Sequence, residues 1–115
     1  MKTYKLHEHS GLIVGMDIDN DTKSFCDAIN AALLDFATVT AFPDYRIVAV
    51  CDDLGGSYRN PTCFYADGKG VLYGSLLFFR QYTNSPELSD IEKDDLQVIY
   101  ANKIHDFNDL RGVLW

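Results

Sequence analysis

Asp17, Asp19 and Asp21 alternate along the chain as the first ligands of a calcium loop do. His7 and His9 stand two residues apart, a spacing that puts both imidazoles on one face of a strand and makes them a candidate pair of zinc ligands. Neither set completes a metal site. A calcium loop needs Gly at its sixth position and Glu at its twelfth, where this chain carries Thr22 and Ala28. No Cys-x-x-Cys or second histidine pair accompanies His7 and His9, and His105 would have to reach them from the far end of the chain. The plain reading of the three aspartates is a set of solvated acids leading into a helix.

Nucleophilic chemistry fares no better. Cys26 falls inside an amphipathic segment and Cys51 ends an apolar one, both settings in which cysteine acts as a small hydrophobe. Neither is followed by a helix start or basic neighbours that would depress a thiol pKa, whereas Cys63 stands near Arg59 in an exposed, turn-rich stretch and stays open as a reactive thiol. "GKG" at 68–70 lacks the spacer and the Ser or Thr after Lys of a phosphate loop, and it precedes a strand rather than a helix. No nucleophile elbow, zinc-protease motif or dinucleotide fingerprint occurs. The sequence therefore predicts no catalytic residue, no metal and no cofactor, and a chain that is not an enzyme.

The stretch "VAVCDDLGGSYRNPTCF", residues 48–64, keeps a binding role open. Asp52, Asp53, Gly55 and Gly56 are turn formers, and Asn60-Pro61 forces a further extended bend. Tyr58, Arg59, Asn60 and Tyr65 bring stacking and hydrogen-bonding groups to this connection, at the end of a sheet where loops commonly carry recognition.

Bulk properties restrict the partners. The chain has 115 residues, 47% hydrophobic and 23% charged, which predicts one domain spanning 1–115 with its own core. Three cysteines cannot all pair within one chain, and "MKTYKLHEHS" has no continuous apolar core of a secretion signal, so a reducing cytoplasm is the expected setting. No apolar run approaches the ~20 residues needed to cross a bilayer. The net charge is −7, and two segments hold all of it. Asp17 to Asp27 contains four Asp and one Lys; Glu87 to Asp95 contains Glu87, Asp90, Glu92, Asp94 and Asp95 against Lys93. Phosphate backbones and anionic lipid repel such a chain, which disfavours direct binding to nucleic acid or membrane, whereas a basic protein surface would be attracted.

The elements that would carry these residues follow from periodicity. Residues 2–6 and 12–18 flank "HEHSG" as a hairpin, with Leu12, Val14, Met16 and Ile18 alternating on one face of the second strand. Phe25, Ile29, Ala32, Leu33 and Phe36 recur at helical spacing, predicting a helix over 22–37 capped by Ser24 or Asp21. A strand near 38–42, a turn at Pro43-Asp44 and a strand over 45–51 come next. The last of these is apolar on both faces and so belongs in the sheet interior. "DGKG" at 67–70 turns into the hydrophobic strand "VLYGSLLFFRQY", and Ser89 with Glu92 suggests a short helix over about 86–95. Residues 96–102 fit either a continued helix or an edge strand, and the tail adds at most one helical turn. The fold expected is α+β, with a mainly antiparallel sheet of four to five strands, one main helix packed on it and a short C-terminal helix.

An amphipathic helix, a strand ending "VAVCDDLGG", an Asn-Pro loop, "DGKGVLYGSLLFF" with Gly74-Ser75, and the acidic "ELSDIEKDD" together resemble a domain of unknown function found in short phage and mobile-element proteins. The resemblance covers roughly residues 20–95. It supplies no catalytic residues; it implies a small cytoplasmic accessory protein of a phage, a group in which inhibitors of bacterial defence are common.

Two main functional expectations result, beside a minor one in which Cys63 or the His7/His9 pair carries an enzymatic reaction. In the first, acidic surface formed by Asp17, Asp19, Asp21, Asp52, Asp53, Glu87, Asp90, Glu92, Asp94 and Asp95 binds a host defence protein, such as a CRISPR or restriction nuclease, where that protein expects phosphates. In the second, Tyr58, Arg59, Asn60, Tyr65 and Arg80 stack and hold a nucleotide immune signal, and the protein acts as a sponge. Either role suits a single chain or a small homo-oligomer.

Overall fold

Antiparallel pairing of strands distant in sequence organises the computed structural model, which describes residues 1–55, 61–66 and 70–102. The first hairpin joins β1 (Lys2–Leu6) to β2 (Ile13–Asp17) in unbroken register from Lys2 opposite Asp17 to Leu6 opposite Ile13. Helix α1 (Thr22–Ile29) follows, then β3 (Leu34–Ala41) and β4 (Tyr45–Asp52). A two-stranded sheet of β5 (Pro61–Ala66) and β6 (Gly70–Tyr73) precedes β7 (Leu76–Tyr82), and the last described element is helix α2 (Asp95–Asn102). The main sheet has five strands in the order β2-β1-β7-β4-β3. The result is a single α+β domain of the kind the periodicity predicts.

The two-sided apolar strands take the central positions. β7 and β4 pair from Tyr45 opposite Tyr82 to Val50 opposite Leu77, and side chains from both faces of them are buried. On one face Phe25 and Ile29 of α1 cover Val50, Leu77 and Phe79. The Phe25 and Phe79 rings lie 5.1 Å apart at 40°. On the other face Leu6, Ile47, Leu76 and Phe78 meet Ile91, Ile99 of α2 and Leu72 of β6. The sheet is thus sandwiched between one short helix and a second layer made of α2 and the small sheet.

Several boundaries differ from those the sequence predicts. The helix expected over 22–37 ends at Ile29, where Asn30 takes the left-handed conformation at φ 54° and ψ 50° and closes the last turn. Ala32, Leu33 and Phe36 are exposed rather than part of a buried helical face. Residues 34–41 also alternate with period two, and pairing of the whole segment with β4 decides in favour of the strand. "VLYGSLLFFRQY" is two strands, because Gly74 at φ 78° turns the chain between β6 and β7. The helix expected over 86–95 starts only at Asp95. Ser89 forms an isolated bridge to Arg80 instead, with N···O distances of 3.1 and 2.7 Å, so its backbone is engaged in the sheet and cannot open a helix. Residues 96–102 are helical. Gly55 passes so close to β6 that a Cβ would sit 3.1 Å from the Tyr73 Cβ and carbonyl oxygen, which explains one glycine of the "GG" pair. The rest of the turn-rich stretch after Gly55 divides between β5 and residues 56–60, which lie outside the described residues, as do the "DGK" turn residues 67–69 and the C-terminal tail from 103 on.

Asp21, not Ser24, caps α1: its carboxylate accepts the Ser24 N–H at 2.7 Å. That bond holds the Asp21 carboxyl below its ordinary value. A carboxyl with a lowered folded-state pKa contributes stability above the unfolded value of about 3.9, and the contribution is lost as pH falls through the folded value. Asp21→Ala is accordingly expected to lower the melting temperature at neutral pH, with the gap to wild type closing below about pH 4. Melting curves of both proteins from pH 3 to 7 test this.

Candidate functional site

The two acidic segments, some seventy positions apart in the chain, meet around the first residues of β1. Asp17 closes β2 directly opposite Lys2, and Met1 and Ile18 exchange hydrogen bonds of 2.8 Å just beyond. On the other side of β1, the Lys2 N–H donates to the Asp90 carboxylate at 2.9 Å and the Lys2 carbonyl accepts the Ile91 N–H at 3.0 Å. The start of β1 is therefore held between the end of β2 and the segment 89–91. An open groove of about 720 Å³ runs across it, lined by Tyr4, Gly15, Asp17, Asp90 and Glu92 together with Lys2 and Lys93. Asp17 also lines a second, shallow concavity with Asp19 and Asp27. Glu87 lines a further groove with Asn20 beside Arg46 and Gln81.

Asp17, Asp19, Asp21, Glu87, Asp90, Glu92 and Asp94 are all exposed, as is Asp27. They are not all unopposed. Lys23 lies 3.0 Å from Asp27 across one helical turn, and this pairing raises its own pKa. Arg80 Nη1 lies 2.6 Å from Glu92.

Two of the expected acidic contacts are corrected by their burial, and a third stands apart from the patch. Asp95 is 1% exposed and binds Arg80 through both oxygens, at 2.7 and 2.9 Å, while also accepting the Glu92 N–H at 2.9 Å. Asp52 is buried at the end of β4 and accepts the Leu54 N–H at 3.0 Å, so it closes a turn rather than facing solvent. Asp53 is exposed but adjoins Asp52, at the end of the sheet opposite to Lys2. A surface contact requires a solvated charge, so Asp52 and Asp95 leave the patch, and Asp53 is too far from it to contribute.

Of the residues expected to hold a nucleotide, Tyr58, Arg59 and Asn60 lie outside the described residues, and Tyr65 is placed only as a position in β5. Arg80 is half-buried. Asp95 pushes its pKa up further, Glu92 neutralises its other edge, and its guanidinium carbon stands 4.0 Å over the Tyr45 ring. A guanidinium so surrounded by protein carboxylates is not available to a phosphate.

The His7/His9 pair is not a strand pair: β1 ends at Leu6, and His9 sits in the turn, 3.8 Å from Glu8. Among the described residues no group of three or more His, Cys, Asp or Glu side chains converges as metal ligands would. The Cys51 thiol donates to the Asp35 carbonyl at 3.5 Å inside the core, Cys26 lies over the Ala32 carbonyl at 3.9 Å, and Cys63 falls in β5. No helix of the described residues is long and apolar enough to cross a membrane. Comparisons of the chain with models of protein families, with curated proteins and with solved structures find no match.

Proposed function

We propose that this protein is a non-enzymatic binding protein whose acidic end, built from Asp17, Asp19, Asp27 and Asp90 and flanked by Asp21, Glu87, Glu92 and Asp94, docks a basic surface on another protein. The observation that carries this reading is the convergence of the two acidic segments on either side of β1: charge that is dispersed in sequence is concentrated at one end of the sheet. Opposite charge at such density steers association and sets its orientation more than it adds final affinity. The resemblance of the sequence to short phage proteins supports, as that partner, a host defence protein in the bacterial cytoplasm, such as a nuclease whose basic surface ordinarily holds nucleic acid. Carboxylates presented there would compete with phosphates, and the protein would act as an inhibitor.

The test begins with capture of partners from a bacterial lysate on the immobilised protein, followed by kinetics with the partner obtained. Asp17→Lys and Asp19→Lys reverse exposed charges, and Asp90→Asn removes one while retaining an acceptor for the Lys2 N–H. The combined variant is expected to associate about tenfold or more slowly at low salt, and to lose the steep decline of rate with ionic strength shown by wild type. An unchanged rate and salt dependence would refute the reading. The sponge alternative has lost Arg80 to the Asp95 pair, and no other observation favours it.

A further inference from the structure

We infer that the outer edge of β2 is the two-fold interface of a homodimer, in which two copies of this chain pair β2 with β2 antiparallel about Gly15 and join their five-stranded sheets into one. The proposal does not depend on the acidic-surface reading.

Both edges of the sheet are strands, but they are unlike. β3 is interrupted by a bulge between Thr38 and Thr40, and Asn102 of α2 reaches its Thr40 hydroxyl at 3.3 Å. Bulges and covering elements are common means of blunting an edge. β2 has neither. Its register with β1 is unbroken, its sequence "IVGMD" contains no Lys or Pro, and among the described residues nothing pairs with its outer side.

The hydrogen-bond phase of the hairpin fixes which groups face outward. The His7 N–H donates to the Leu12 carbonyl at 2.9 Å and the Ile18 N–H to the Met1 carbonyl at 2.8 Å. Antiparallel pairs alternate between bonded and non-bonded, so Leu12, Val14, Met16 and Ile18 direct their backbone groups to β1. The N–H and C=O groups of Ile13, Gly15 and Asp17 then point away from the sheet. A two-fold axis at Gly15 matches these groups to themselves: Gly15 bonds the partner's Gly15, and Ile13 bonds the partner's Asp17 in both directions.

Side chains agree with the same register. Leu12, Val14 and Met16 are 63%, 46% and 37% exposed, an apolar row on one face of an edge strand rather than the half-buried face that the alternation predicts. About Gly15, Val14 falls opposite the partner's Met16 and Leu12 opposite the partner's Ile18. These are the non-bonded pairs, in which cross-strand side chains approach most closely. Isologous pairing thus buries the row against its own copy.

Charge selects the same orientation. The turn end of the hairpin carries Lys5, His7 and His9 with Glu8, and its open end carries Asp17 and Asp19 with Lys2. Antiparallel pairing sets the acidic end of one copy beside the turn end of the other. It separates Asp17 from the partner's Asp17 by roughly 14 Å along the strand, at ~3.4 Å per residue, beyond the ~8–10 Å screening length at physiological salt. Parallel pairing would align the acids.

Sedimentation of the full chain between micromolar and several hundred micromolar, with amide exchange measured by NMR, tests the proposal. Wild type is expected to reach twice the chain mass of 13.0 kDa, with the Ile13, Gly15 and Asp17 amides protected in the dimer. Val14→Glu puts a charge opposite the partner's Met16 while facing Lys5 within its own hairpin, and it should raise the dissociation constant by about tenfold or more with the monomer still folded. Gly15→Pro removes the central outward N–H, a change an edge strand tolerates, and should have the same effect. A wild type that stays monomeric overturns the proposal. So does a dimer indifferent to both variants, a dimer in which the three amides exchange freely, or their protection in a monomer.

Discussion

Asp95→Ala is expected to destabilise the folded protein by about 3–5 kcal/mol, because it removes one partner of a buried ion pair and leaves the other. Arg80 lies on β7 with its side chain 12% exposed, and Asp95, 2% exposed, occupies both its Nε and Nη2 at 2.7 and 2.9 Å. The same carboxylate accepts the Glu92 N–H and so fixes the turn that starts α2. Truncation strands a guanidinium beneath Tyr45 and orphans a backbone donor together. Glu92 still touches Arg80 at 2.6 Å, which places the effect toward the lower end of the range. At about 4 °C per kcal/mol for a domain of this length, the melting temperature should fall by roughly 12 °C or more. Replacing both partners with apolar groups, Arg80→Met with Asp95→Leu, should cost far less, since no charge is then left buried and unpaired. Urea unfolding of the single and double variants measures the difference. A single variant within about 1 kcal/mol of wild type would show that the pair does not anchor α2.

This pair also marks where the sequence stops being informative. The two apolar faces of 45–51 and the alternation of the first hairpin reveal the sheet, because burial on both sides of a strand writes itself into residue type. The start of α1 is equally legible in Asp21 and the apolar spacing of Phe25 and Ile29. Its end is not. Phe36 continues the helical period of Phe25 and Ile29 while Ala37 and Val39 alternate as in a strand, and only the hairpin pairing of Leu34–Ala41 with β4 separates the two. Segment 86–94 has helix-start residues in its composition, yet its backbone is claimed by Arg80 and Lys2 across the sheet. The candidate site divides in the same way. That Asp17–Asp27 and Glu87–Asp95 hold the net charge is plain from the chain, but their meeting at Lys2 depends on strand order. The withdrawal of Asp52 and Asp95 into the interior depends on partners that no local pattern names.

The helical part of the first acidic segment, Asp21 and Asp27, depends on the packing of α1 against the sheet, and Phe25→Ala should expose that dependence. Helix α1 is eight residues long, too short to persist without tertiary support, since isolated helices below about 12–15 residues are marginal in water. It is pinned to the sheet by Phe25 and Ile29, with Phe25 4% exposed and its ring 5.1 Å from that of Phe79. Removing the ring should cost about 3–5 kcal/mol in lost burial and cavity formation. That is a large share of the ~5–15 kcal/mol typical of a whole domain. The loss should not be uniform: α1 amides are expected to exchange much faster than those of β4 and β7, which keep their pairing and their opposite layer. Asp21 and Asp27 ride on the cap and last turn of this helix, whereas Asp17 and Asp90 are held by β1 itself. Phe25→Ala should therefore slow association with a basic partner only in part, at a temperature where the sheet remains folded. Hydrogen exchange together with association kinetics separates the outcomes. Uniform loss of protection would make α1 part of one cooperative unit with the sheet, and an unaltered association rate would confine recognition to the acids beside β1.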